Sequence, residues 1–314
     1  MTTLPSNAAA GGASGRRRLG FLLDREEWLG PLMIAPAVFY IALVVGTPFV
    51  LAILYSFSDI TMGDRSLDFV GLKNFIAVAG TSNFQTSFKN TFVFAFLSQA
   101  LVIVLANVLA LALLKDFRGK WVVRLLILLP WVAPISLGTI GWLWILDSIY
   151  SVINWTLEAL RLIGPHNRPM WLGIPYLALG SVIAVHVWRL LPLATVILLA
   201  GLGSIPKDIH DAAAVDGASF WRHHFQITIP LIRPIILVAL LFGSVFAFTD
   251  MVVIFVLTRG GPYDTTQVLS TLAFFTGIQG GDLAEGAAIA LFLFPLLLAA
   301  AVVFLRIARR AEVT

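Results

Sequence analysis

The sequence predicts an all-α integral membrane protein of six transmembrane helices, and three observations carry that reading. Hydrophobic residues make up 59% of the 314, and the mean hydropathy is +0.92, beyond what a soluble domain with a polar surface carries. Six stretches run apolar for about 20 residues or more, the length that crosses roughly 30 Å of hydrocarbon. They are Leu32 to Phe57, Thr91 to Leu114, Val122 to Leu146, Ile174 to Leu202, Pro230 to Thr258 and Leu283 to Ile307. None alternates apolar and polar residues over about 10 positions as a transmembrane strand does, so each is expected to satisfy its own backbone as a helix surrounded by lipid.

Taken in order, residues 1–28 form an N-terminal tail whose start, Met1 to Gly15, is rich in Ala, Gly, Ser and Thr and is expected to be disordered. Arg16, Arg17 and Arg18 imitate the charged start of a signal peptide. Asp24, Arg25, Glu26 and Glu27 separate them from an apolar run too long for one, so the first span is read as retained, with Trp28 at the interface. The six-helix membrane-spanning body is 29–307, and 308–314 is a short tail. Pro130 and Pro134 in the third span, Pro192 in the fourth, and Pro230 and Pro234 at the start of the fifth each remove a helical hydrogen bond and favour kinks.

Charge sets the orientation. With the N-terminus inside, one set of connecting segments holds Lys115, Arg118, Lys120, Arg124, Lys207, Arg222, Arg233, Arg306, Arg309 and Arg310 besides the N-terminal arginines. The opposite set holds Arg65, Lys73, Lys89, Arg161, Arg168 and Arg259. Cationic residues gather on the cytoplasmic side, which places both termini and the polar segment 204–229 in the cytoplasm and the spans in the cytoplasmic (inner) membrane. The net charge of +4 reflects this bias. Charges scattered along membrane edges, with no basic-aromatic surface pattern, exclude a nucleic-acid partner.

Chemistry of the usual kinds is missing from the sequence. Without cysteine there are no disulfides, thiolate metal sites or cysteine nucleophiles. The five histidines form no H-E-x-x-H, and no G-x-x-x-x-G-K-[ST] occurs; Gly119-Lys120 is followed by Trp121 where Ser or Thr is required. Neither metal nor cofactor is expected on this chain, and any ATP that drives it belongs, with its Mg, to another polypeptide.

The most informative stretch is I-P-K-D-I-H-D-A-A-A-V-D-G-A-S-F-W-R-H-H-F-Q-I-T-I-P, from Ile205 to Pro230. Ser204 is suited to cap a helix, Pro206 to its first turn, Asp208 to its positive end, and Gly217 to the left-handed conformation that stops it. A second short helix is expected from about Ala218. Ala212, Ala213 and Ala214 are small enough for close approach to a partner's groove, and Phe220, Trp221 and Phe225 supply bulky anchors. The plainer reading is an amphipathic helix lying on the membrane surface.

Asp211-Ala212-Ala213-Ala214-Val215-Asp216-Gly217-Ala218, followed by Phe225, Ile227 and Pro230, resembles the E-A-A-x-x-D-G-A signature of permease subunits in binding-protein-dependent ABC importers, with Asp211 in place of the usual Glu. Phe248-Thr249-Asp250 and Leu257-Thr258-Arg259-Gly260-Gly261-Pro262 resemble the F-x-x-F-D and L-T-G-G-G-P pattern of the carbohydrate-uptake branch, in its maltose-transporter-like first permease. Arg259 replaces one glycine there. Gly71-Leu72-Lys73-Asn74-Phe75 agrees with the branch's first outer loop. The resemblance implies a type I importer bundle in which 204–229 is a coupling helix seated on an ABC ATPase dimer, with a second homologous permease and an extracytoplasmic substrate-binding protein as further partners. It also implies alternating access and a sugar, polyol or glycoside as substrate. Asp211, Ala212, Ala213, Asp216, Gly217, Ala218 and Phe225 are then the coupling residues, and Gly260, Gly261 and Pro262 form an outer turn.

Polar residues at bilayer depth cost several kcal/mol and usually face a cavity or a partner. Arg189 lies near the middle of the fourth span, with His186 one turn earlier on the same face. Asp250 and Thr249 lie in the fifth span, and Gln99 and Asn107 in the second. These are the substrate-path candidates. The competing reading for Arg189 and Asp250 is a buried ion pair fixing helix register. Counted along continuous helices, the two differ by roughly 10 Å in depth, which leaves both readings open. Trp142, Trp144 and Trp188 either stack on sugar rings or pack in the bundle. An ion-gradient transporter using Arg189, His186 and Asp250 as a proton relay would leave the 211–218 motif without a purpose. A membrane-embedded enzyme would need paired carboxylates or metal ligands that are not visible.

Overall fold

The computed structural model describes residues 26–164 and 166–312. The N-terminal arginines therefore lie outside the described residues, as does most of the expected tail. Among the described residues the chain is helical apart from one antiparallel bridge between Ser58 and Phe69. The described residues divide into two compact units, one ending at Ile53 and the other beginning at Leu54.

In the first unit, α1 (Glu26–Ile41) passes through a π-helical turn at Ala42–Gly46 into α2 (Thr47–Ser56), which continues past the unit's end. The segment Gly30–Ser56 is long and apolar enough to cross a membrane.

The second unit is built around two long helices, α4 (Ser82–Leu114) and α8 (Pro175–Gly203). Thr81 caps α4 by accepting from the Phe84 amide at 3.2 Å, and Pro175 starts α8, where its missing N–H costs nothing. Each buries a stripe four residues apart. On α4 it runs Phe94, Ser98, Val102, Ala106 and Ala110; on α8 it runs Val182, His186, Leu190, Ala194, Leu198 and Leu202. The alanines let the two backbones approach, as small residues do where helices pack without a hydrophobic driving force. α12 (Arg233–Thr249) packs against both, and α15 (Leu283–Glu312) against α12. Gly243 of α12 meets Gln99 of α4, where even one added carbon would collide with the amide.

Two expected spans are interrupted. The third is α5 (Lys120–Val132) and α6 (Ile135–Ile145), bent by 98°. Pro134 provides no N–H and keeps Ala133 extended (φ −64°, ψ 142°), so two prolines four residues apart produce a break rather than the expected kink. The fifth is also in pieces. A π-helical stretch at His224–Thr228, in the segment ahead of the span, leads through α11 (Ile229–Leu231) and a 71° turn into α12, which ends at Thr249 before α13 (Val252–Leu257). Pro192, by contrast, is accommodated within an uninterrupted α8. With each bent pair counted as one span, the described residues hold six spans.

Shorter elements complete the unit. They are α3 (Lys73–Ala79), α7 (Val152–Ala159), α9 (Lys207–Val215), α10 (Phe220–His223) and α14 (Leu269–Phe274), the last running into a π-helical turn at Phe275–Gln279. Asn74 of the Gly71–Phe75 motif is buried, and its amide donates to the carbonyls of Ser56 and Ser58 at 3.0 and 2.7 Å, tying α3 to the end of α2.

Candidate functional site

In the 204–229 segment, α9 begins after Pro206 rather than at a Ser204 cap. The Ser204 hydroxyl instead donates back to the Gly201 carbonyl at 2.8 Å and closes α8. Asp208 sits in the first turn of α9, where its charge complements the helix dipole. The helix stops as its sequence requires. Gly217 has φ +68°, its amide bonds the Ala214 carbonyl, and the Ala218 amide reaches back to the Ala213 carbonyl at 3.0 Å, which satisfies two of the final carbonyls. Ser219 then caps α10 by accepting from the Arg222 amide. Of the predicted coupling residues, Asp211, Ala212, Asp216, Gly217 and Phe225 are exposed, Ala218 is half-buried, and Ala213 is turned inward and buried. Phe220 and Trp221 are exposed beside Phe225.

Three histidines gather on this bend. His210 Nδ1 of α9 lies 3.0 Å from His223 Nε2 of α10, and His223 Nδ1 lies 3.4 Å from the Thr228 hydroxyl. His224 is buried and receives the Asn107 side-chain amide on Nε2 at 2.9 Å. Burial, and then the neighbouring His223, hold the His224 imidazole below the usual histidine range. Asn107 thus serves the 204–229 segment from α4.

Near the middle of α8 the structure brings His186, Arg189 and Asp250 together. Asp250 Oδ2 accepts from His186 Nδ1 at 2.5 Å and lies 3.6 Å from the Arg189 guanidinium, while Oδ1 accepts from the Val253 amide at 3.1 Å. The Ser270 hydroxyl donates to the Asp250 carbonyl at 2.8 Å. The 10 Å depth difference assumed two unbroken helices; the break after Thr249 removes it. His186 and Asp250 are buried, whereas Arg189 keeps 19% of its side chain exposed. His186 packs edge-on against Phe94, and its Nε2 has no partner. Thr249 is exposed, its hydroxyl bonded to the Val245 carbonyl. Gln99 is buried and its amide reaches the Ala239 carbonyl at 3.5 Å, which makes it a crossing-point residue of α4 and α12. Trp142 and Trp188 pack edge to face, and Trp144 is exposed.

The outer turn follows α13. Arg259, Gly260, Tyr263 and Asp264 all have positive φ, and the Gly261–Pro262 peptide is cis. Arg259, standing where the related pattern has glycine, is left-handed at φ 51° and lays its guanidinium over the Phe255 ring at 5.6 Å. Thr266 stitches the turn through Thr258 and the Gly261 carbonyl, and Asn90 of α4 donates to the Asp264 carbonyl. The buried asparagine and the threonine pair carry no sequence signal of their own role.

Residues 102–312 match the family described as binding-protein-dependent transport system inner membrane component. The chain is 36% identical over 290 residues to the trehalose/maltose transport system permease protein MalF of Thermococcus litoralis, covering 91% of this chain and 95% of that one. It is 27% identical over 312 residues to the diacetylchitobiose uptake system permease protein DasB of Streptomyces coelicolor, covering 97% and 94%. A chain of the bacterial alginate ABC transporter shares the fold with a TM-score of 0.78 at 22% identity, over 93% of this chain and 98% of that one. The chain therefore belongs to the binding-protein-dependent transport system inner membrane components, as a multi-pass permease of an ABC importer. That membership places the chain among ATP-driven importers rather than ion-gradient transporters built on a proton relay.

Proposed function

We propose that this chain conducts a sugar, or a related polyol or glycoside, inward through the membrane, with ATP hydrolysed by a separate ATPase pair. A second, homologous permease completes the path, and an extracytoplasmic binding protein delivers the substrate. The observation that carries the reading is the bend at Gly217: two short helices, closed by their own backbone bonds, present Asp211, Ala212, Phe220, Trp221 and Phe225 outward. A compact, exposed element closed by its own backbone bonds is suited to transmit closure of an ATPase cleft to the bundle. The sugar class rests on relatives whose names specify trehalose, maltose and diacetylchitobiose. In this reading the chain itself catalyses nothing. Both termini and the 204–229 segment face the cytoplasm, and Arg189, the half-buried member of its cluster, borders the path while His186 and Asp250 hold it in place.

The test is purification of the tagged chain from its native membranes. An ATPase carrying a phosphate loop and a second permease should accompany it, and a loaded disaccharide-binding protein should stimulate ATP hydrolysis in vesicles. A chain that purifies alone and moves solute under an ion gradient would overturn the reading. Orientation is tested separately: a reporter active only in the cytoplasm should be active after Lys115 and silent after Asp68.

A further inference from the structure

We propose that an anionic phospholipid binds in a cleft between α4 and the 220–229 segment, with an acyl chain along α4 and its phosphate at Lys115. Two cavities form the cleft, and Leu111, Phe220 and His224 line both. The deeper one, of about 580 Å³, lies between Ile103, Val104, Val108 and Leu111 on α4 and the rings of Trp221 and Phe225. Its two polar side chains, Asn107 and His224, are bonded to each other at 2.9 Å, and the rest of its lining is aliphatic or aromatic.

Depth and charge select the occupant. Ile103 and Lys115 stand about 12 residues apart, or ~18 Å along a helix. One leaflet contributes ~15 Å of hydrocarbon. The apolar cavity therefore has the reach of one acyl chain, and it opens towards the headgroup level, where α4 ends at Leu114. The outer cavity, of about 720 Å³, is lined by Lys115 and Asp116. The Asp116 carboxylate is engaged by Lys120 at 3.0 Å, whereas Lys115 is exposed and has no ion-pair partner among the described residues. Thr228, His223 and His210 line the same cavity and form a hydrogen-bonded row with steps of 3.4 and 3.0 Å, a polar wall for a headgroup. Basic pockets beside membrane spans bind anionic headgroups in this way.

Residues 1–25 would bring Arg16, Arg17 and Arg18 to a site that is already cationic, so they suit it less than a phosphate does. A lipid in the cleft covers Trp221 and Phe225 where they border it and leaves Asp211 and Ala212, which line neither cavity, for a protein partner. The binding claim rests on the cleft alone. That the lipid belongs to the inner leaflet rests on the orientation proposed above, which the reporter fusions test independently.

The experiment uses the intact complex in phosphatidylcholine vesicles doped with phosphatidylglycerol that carries a diazirine at the end of one acyl chain; a matched set carries the diazirine on phosphatidylcholine. After illumination, labelled peptides are identified by mass spectrometry. Residues 103–111 and 229–236 should be labelled about fivefold more by the phosphatidylglycerol, the preference that one lysine at an anionic headgroup supplies. Lys115→Gln should remove that preference, and Val108→Trp, which fills the apolar cavity, should lower labelling by both lipids. Equal labelling by the two lipids in the unaltered chain would mean ordinary boundary lipid and overturn the site. Because the chain has no cysteine, Val104→Cys accepts a single benzophenone on this chain. Its attachment to phospholipid is expected; attachment to residues 1–25 or to the second permease would show a protein occupant and overturn the site as well.

Discussion

Two of the chain's helix breaks, at Gly217 and at Asp250, are built in opposite ways. At Gly217 the break is closed locally: the Gly217 and Ala218 amides return to the Ala214 and Ala213 carbonyls, three and five residues back along α9, and the glycine supplies a φ of +68°. At Asp250 it is closed from a distance. His186 and Arg189 arrive from α8 and Ser270 from α14, and the same carboxylate caps α13. The first break can be carried as a unit on the surface; the second exists only while three helices stay together. A segment that moves against a partner is well served by the first construction. A bundle that must keep its register at bilayer depth, where each unpaired polar group costs several kcal/mol, is served by the second.

The comparison is broken most severely at Asp250. Asp250→Ala removes the acceptor for His186, Arg189 and the Val253 amide at once. Leaving a buried partner uncompensated costs about 3–5 kcal/mol, so the complex should lose most of its yield after detergent extraction and melt at a markedly lower temperature. Arg189→Ala should be milder, because Asp250 keeps His186 and the Val253 amide. Normal thermal stability of Asp250→Ala with transport lost would show that the carboxylate serves the substrate path instead.

Gly217 should behave in the opposite manner. A carbon added there meets nothing within 4 Å, so the cost is conformational alone, about 1–2 kcal/mol for an L residue held left-handed. Gly217→Val should reach the membrane at near-normal abundance yet lose transport and retain less ATPase on purification. Gly217→Asn, which tolerates the left-handed region, should recover most of both. Equal loss in the two variants would show that the glycine is needed as a contact surface rather than as a hinge.

The difference between the breaks also explains how much the sequence revealed. A glycine after an alanine-rich run and before Ser219 is a local signal, and the bend, the stop of α9 and the second helix follow from neighbours within about ten residues. The Asp250 cluster was visible only as three polar residues at uncertain depths. Its geometry depends on α12 ending at Thr249, and the 249–251 stretch has no proline or glycine to announce that end. Likewise Pro130 and Pro134 signal distortion, but whether a proline bends or breaks a helix depends on packing: Pro192 sits inside an uninterrupted α8 while Pro134 starts a new helix. Ala213 was grouped with the exposed alanines because residues 212–214 are identical in type; only its packing turns it inward.

The smallest effect tests how local the bend really is. His224 joins the surface segment to α4 through Asn107, whose amide nitrogen can donate only to an unprotonated Nε2. Burial holds this imidazole below the ordinary value in the folded chain, so folding favours its neutral form. The sign follows: the contribution is complete above the unfolded histidine value of about 6.5 and is lost as pH falls through the lower, folded value. Between pH 7.5 and 5.5, limited proteolysis within 204–229 should therefore become faster in vesicles. His224→Gln, which does not titrate, should flatten that dependence while the mid-membrane cluster, and the melting temperature it governs, respond equally in both proteins. An unchanged pH slope in His224→Gln would mean that the segment's exposure is governed by its own backbone closure, leaving the bend fully independent of α4.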